Sequence, residues 1–78
     1  MKLRIITSSQ TQEFLISWID IHTLSGNTMI LEDHAPMVAT LTSSRKLTFK
    51  LKTGETESIL VTKPGIIEIQ RKQITVLL

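Results

Sequence analysis

Residues Ile30 to Leu41, ILEDHAPMVATL, set two carboxylates, Glu32 and Asp33, directly against a histidine, His34, and then turn the chain at Ala35–Pro36. These are the residue types from which a general base with an orienting carboxylate, or a two- or three-ligand metal site, is built. Their spacing argues against both. Adjacent residues of an extended chain point to opposite sides, so Asp33 and His34 do not easily converge on one ion. The only other histidine, His22, brings no ligand-spaced motif with it. Pro36 biases Ala35 away from helix, and a polar corner ahead of an apolar run suits a turn. The stretch reads as a structural or contact corner, and no catalytic residue, cofactor site or metal ligand is assigned.

Other chemistry is sparse. There is no GxSxG elbow, no phosphate-cradling glycine loop and no HExxH. With no cysteine among the 78 residues, disulfides and thiolate metal sites are excluded. Nine Lys and Arg against seven Asp and Glu give a net charge of +2, too small an excess to signal nucleic acid. One Trp, two Phe and no Tyr are few rings on which to stack bases. The alternation of β-type residues still puts Lys50 and Lys52 on one solvent face, so a small nucleic-acid-binding barrel using Lys50, Lys52, Arg71 and Lys72 stays open as an alternative. The start, MKLRIIT, has too short an apolar run for a signal peptide, and no stretch reaches membrane-spanning length.

The elements that position these residues are strands. Leu3, Ile5 and Thr7 alternate with Lys2, Arg4 and Ile6. Phe14, Ile16 and Trp18 share a face, after which the apolar phase slips to Ile19 and Ile21, as a β-bulge would make it do. Leu24 to Asn27 reads as a turn, Thr28 to Leu31 and Met37 to Leu41 as short apolar runs, and Leu47, Phe49 and Leu51 as a half-buried strand. Thr53-Gly54 signals a hairpin, Lys63-Pro64-Gly65 a turn, and Ile67, Ile69, then Ile74, Val76 and Leu78, the closing strands. No window carries a helical stripe. The expectation is one domain over residues 1–78, all-β, a small antiparallel sandwich or flattened barrel of about eight to ten short strands.

The order GNTMILEDHAPMVATL, Gly26 to Leu41, resembles the signature of the ε subunit of F-type ATP synthases, in which a glycine turn leads through a short strand into a Pro-Gly-His-Ala-Pro corner. His34-Ala35-Pro36 is the most specific part. MKLRIIT looks like that family's first strand, Phe14 falls where its second strand usually has an aromatic, and PGIIEIQRKQITVLL is similar to its final segment. The chain departs from the pattern at Met29, where the family has its second glycine, at Glu32-Asp33 in place of Pro-Gly, at Pro64 in place of the first glycine of a pair, and at Asn27, often acidic in the family.

The resemblance implies the family's N-terminal β-sandwich, a non-catalytic central-stalk subunit that links the γ subunit to the membrane c-ring and helps couple proton or sodium flow to ATP synthesis. It implies a peripheral place on the cytoplasmic side of the inner or plasma membrane (matrix or stroma in an organelle), no direct membrane insertion, no cofactor and no nucleic acid. Gly26, Asn27, Thr28, Glu32, Asp33, His34 and Pro36 are the interface residues it points to. The sequence closes at Leu78, where the family's sandwich ends, so the ATP-sensing behaviour tied to its helical arm is expected to be missing. A free-standing β adaptor in another complex is the second function class left open.

Overall fold

Apolar residues at period 2 become the inner faces of eight strands: β1 (Lys2–Ile6), β2 (Thr11–Thr23), β3 (Gly26–Leu31), β4 (Met37–Leu41), β5 (Arg45–Leu51), β6 (Thr56–Val61), β7 (Gly65–Ile69) and β8 (Gln73–Leu77). They are seen in a computed structural model that describes residues 1–78. The all-β expectation holds, and the strand number lies at the lower bound of the range.

Strand β2 is the spine. Thr11–Leu15 pair with β1, Ile16–Asp20 with β5, and Trp18–Thr23 with β3, while Thr23 reaches Leu41 of β4. Strands β4, β7 and β8 continue from there and return to β1, so β1, β2, β4, β7 and β8 form a closed ring, with β3, β5 and β6 extending from β2 as a second layer. The ring also corrects one expectation. Four of its contacts are antiparallel, but β1 and β8 run parallel, Lys2 beside Gln73 through Ile6 beside Leu77. A ring of five strands cannot alternate direction at every step, so an odd ring must contain a parallel pair.

The inner faces meet in one core built from Leu3, Ile5, Ile16, Ile19, Ile21, Ile30, Leu47, Phe49, Ile67, Ile69, Ile74 and Val76, with Phe14 packed against Phe49 at 5.0 Å between ring centroids. Burying each such aliphatic side chain contributes about 1.5–3 kcal/mol. No buried side chain is polar or charged, so whatever this domain recognises it recognises at its surface.

The expected bulge is present, one residue earlier than the alternation suggested. Ile16 faces Leu51 and Trp18 faces Lys50, which leaves Ser17 as the extra residue. The slip therefore precedes Trp18. The indole lies on the outer face, half-buried, and Ile19 and Ile21 point inward. Gly26 takes φ +118° in the β2–β3 hairpin, whereas Asn27 stays extended. Gly65 is held by something other than a turn. It lies within β7, and a Cβ there would come within 2.7 Å of the Leu77 carbonyl oxygen and of a Leu78 methyl.

Facing decides cost. Ile19→Ala is expected to lower unfolding stability by about 2–5 kcal/mol. Trp18→Ala should cost clearly less despite the larger side chain, and urea denaturation of the two variants measures the difference.

Candidate functional site

Strand β3 ends where the chain must turn toward β4, and the turn is made by Asp33 at φ +66°. This is the left-handed region, which glycine enters freely and aspartate at some strain. The glycine that the ε pattern carries at this position thus has a physical reason, and Asp33 adopts the same backbone form without it. The His34 N–H donates to the Leu31 carbonyl at 3.3 Å, closing the turn.

The corner is fastened to the β7–β8 turn by reciprocal bonds. The Asp33 N–H donates to the Arg71 carbonyl at 3.1 Å, and the Arg71 guanidinium donates to the Asp33 carbonyl at 3.3 Å. Lys72 Nζ lies 2.9 Å from Asp33 Oδ1 and 3.5 Å from Glu32 Oε2. Lys52 Nζ approaches Glu32 Oε1 at 3.6 Å, and the Met1 α-amine donates to the same oxygen at 3.3 Å. Glu32 is therefore a hub for three cations from three distant stretches of chain. The hydrogen bond and charge of the α-amine, then the charges of Lys52 and Lys72, hold its carboxyl below the usual 4.5. The hydrogen bond and charge of Asp33, with a smaller contribution from Glu32, hold the Lys72 ammonium above its usual 10.5. Pairs this exposed add little stability one by one. Their effect is to fix the shape of the corner.

His34 stands apart from the carboxylates. The only polar contact of its ring is Nδ1 to the Ala35 carbonyl, 2.7 Å away, which calls for a proton on Nδ1 and leaves Nε2 without a protein partner. No three His, Asp or Glu side chains converge on a point that would hold an ion. Of the cations named for a nucleic-acid face, Lys52, Arg71 and Lys72 gather at this corner but are engaged by Glu32 and Asp33, and Lys50 stands apart on the sheet, opposite Trp18.

The structure separates the sequence-derived interface residues into two groups. Gly26 and Asn27 lie at the hairpin end of β3, where the Asn27 side-chain amide donates to the His22 ring at 3.3 Å. Glu32, Asp33, His34 and Pro36 lie beyond its other end, about 16 Å away at roughly 3.3 Å per residue. Thr28 shares the inward phase of buried Ile30 and is half-buried.

Two outward apolar groups were missed by sequence reasoning. On the ring side Ile66 and Leu77 are cross-strand neighbours, 47% and 45% exposed, and Val38 of β4, 68% exposed, lies on the same face opposite Glu68 and diagonal to Ile66. On the other layer Met29 and Leu31 of β3 adjoin Trp18. The signal was available: Ile66-Ile67 and Val76-Leu77 are apolar doublets in alternating strands, and one member of each doublet must face out.

The model of the ATP synthase delta/epsilon chain β-sandwich domain matches residues 1–78. The chain belongs to that family. Among solved structures, this delta/epsilon-type domain superposes on a chain of the Euglena gracilis mitochondrial ATP synthase (OSCP/F1/c-ring) with a TM-score of 0.81 at 16% identity, covering 96% of this chain and 48% of that one. It superposes on a chain of the Tetrahymena thermophila mitochondrial ATP synthase central stalk/c-ring with a TM-score of 0.76 at 14% identity, covering 99% and 61%. At these identities the likeness is one of fold, and the chain spans roughly half to three-fifths of the length of either relative. No curated protein matches the sequence.

Two substitutions probe the corner. Asp33→Gly and Asp33→Ala both remove the carboxylate, so their difference isolates the backbone. The glycine variant is expected to be the more stable by roughly 1–2 kcal/mol in chemical denaturation. Glu32→Gln tests the hub. A carboxyl with a depressed folded pKa stabilises above its unfolded value and loses that contribution as pH falls through the folded one. The melting temperature of Glu32→Gln should therefore lie below wild type at pH 7, and the gap should close as pH drops below 4.5.

Proposed function

We propose that this chain is a non-catalytic central-stalk subunit of a rotary F-type ATP synthase, acting as a single sandwich domain over residues 1–78 that links the γ subunit to the membrane c-ring. Family membership over the whole chain supplies the class of assembly. The observation that carries the stalk role is the outward apolar pair Ile66 and Leu77 on β7 and β8, with Val38 of β4 on the same face diagonal to Ile66, all turned to solvent. An outward apolar group of that kind is the mark of a subunit face.

In this reading that group packs on γ. The β2–β3 hairpin, with Leu24 80% exposed at its tip and no charge from Leu24 to Leu31, is the end that rests on the ring. The Glu32–His34 corner then faces away from the ring, locked in shape by Lys52, Lys72 and Arg71. The all-apolar core and the ring closure make the domain a stiff spacer, suited to carrying rotation and to no chemistry of its own. The subunit would be peripheral, on the cytoplasmic side of the membrane or its organellar equivalent.

Calorimetric titration with the γ subunit of the same organism tests this. The expected result is sub-micromolar affinity that survives high salt, with a negative heat-capacity change from apolar burial. Absence of binding overturns the stalk role and favours an adaptor in another assembly.

A further inference from the structure

Strand β3 is a free edge of the second layer. It pairs with β2 on one side only, and the two-residue loop Leu24-Ser25 sets which of its backbone groups that side uses. Thr23 and Gly26, which flank the loop, form a hydrogen-bonded pair, so bonding alternates along the ladder. The residues opposite His22, Asp20 and Trp18 then turn their N–H and C=O away from β2, and these are Asn27, Met29 and Leu31. Two bonds agree with that phase: the His22 carbonyl accepts from Thr42 on the far side of β2, and the Leu31 carbonyl accepts from the His34 N–H. Asn27 and Met29 make no backbone bond outside the β2 ladder.

Exposed edges are ordinarily blunted by charge, proline or a bulge. The opposite edge of this layer, β6, carries Glu57 in the inward phase of Phe49, a charge that an added strand would have to bury. Strand β3 has no such guard. No residue from Leu24 to Leu31 is charged, and the Met29 and Leu31 side chains are 52% and 56% exposed.

The edge is complementary to itself. An antiparallel copy of β3 centred on Met29 sets Met29 opposite Met29 and Asn27 opposite Leu31, so every outward residue meets an outward residue. Displaced by two residues in either direction, Leu31 would fall opposite Ser25 or Asn27 opposite Asp33, and both of those lie in turns. The charges suit the same register. Asp20 is opposite Met29 on β2, so the two Asp20 positions lie three strand spacings apart, about 14 Å, beyond the screening length at physiological salt. One step past the ladder Gly26 comes opposite Glu32, so the acidic corner of each copy meets the uncharged hairpin of the other and not its own counterpart.

We propose that two copies of this chain pair along β3, antiparallel about a two-fold axis at Met29, and join their second layers into one continuous sheet. The contact is isologous and consumes the open edge of both copies, so assembly closes at two. It is a property of the free chain and does not depend on the stalk reading. One short ladder with Met29 and Leu31 from each side is smaller than a permanent interface, which makes this a reversible dimer. Met29 decides it. Where the ε pattern has glycine, this chain places an unbranched apolar side chain on the axis, beside its own copy.

Sedimentation velocity at rising concentration of the purified chain reads the association, and circular dichroism establishes that each variant folds. The wild type is expected to pass reversibly from monomer to dimer. Met29→Lys sets two ammonium groups side by side across the axis and should weaken dimerisation tenfold or more. Ile66→Lys, on the outward apolar face of the ring, should leave it unchanged. Amide hydrogen exchange is the second readout and needs no variant: the Asn27 and Met29 amides should slow in step with the dimer fraction. A chain that stays monomeric up to its solubility limit overturns the proposal, including the case in which γ or the c-ring then protects those amides. A dimer dispersed by Ile66→Lys and not by Met29→Lys overturns it as well. So does dimerisation with unslowed Asn27 and Met29 amides, which is contact between faces and not between strands, and so does association that continues past two.

Discussion

Strand β2 is paired to four other strands, and at Trp18, Ile19 and Asp20 it has β3 on one edge and β5 on the other. Thirteen residues therefore belong first to the ring, then to the second layer, and finally to the ring again at Thr23. A regular strand would have to keep one face inward throughout. The extra residue at Ser17 allows Ile16 and Ile19 both to point inward while the strand bends between the two layers. The core depends on that switch, because Ile16, Ile19 and Ile21 are all fully buried and come from either side of it.

The corner after β3 has another origin. Local sequence makes a turn there, but its shape is set by groups far along the chain: Lys52 after β5, Arg71 and Lys72 before β8, and the α-amine ahead of β1. Acidic and basic residues that read as separate solvated positions form one connected cluster. The ring of His34, the residue that drew notice first, takes no part in it and bonds only to the Ala35 carbonyl.

This contrast defines how far the sequence could be read. Period-2 alternation fixes which side of a strand is buried, so the strands around Leu47 and Phe49, Ile67 and Ile69, and Ile74 and Val76 were legible one by one. The slip in β2 was legible as well, though its placement was not, because Trp18 is apolar enough to suit either face. Pairing direction was beyond reach: the parallel β1–β8 contact is a property of how many strands close the ring, and no single strand carries that number. The interface residues at the two ends of β3 likewise looked like neighbours in sequence, five to ten residues apart, while the extended strand between them spans about 16 Å.

The parallel pair has a mechanical consequence. Lys2 lies beside Gln73 and Ile6 beside Leu77, so the start of β1 and the finish of β8 are at opposite ends of one ladder. Two further bonds close it, Lys2 N–H to the Lys72 carbonyl and Leu78 N–H to the Ile6 carbonyl. Tension applied between the two termini would slide these strands along each other and load the bonds together in shear, where a hairpin pulled from its open end gives way one bond after another. In the stalk role proposed above, such a clamp would share strain along the whole ladder before any part of it yields.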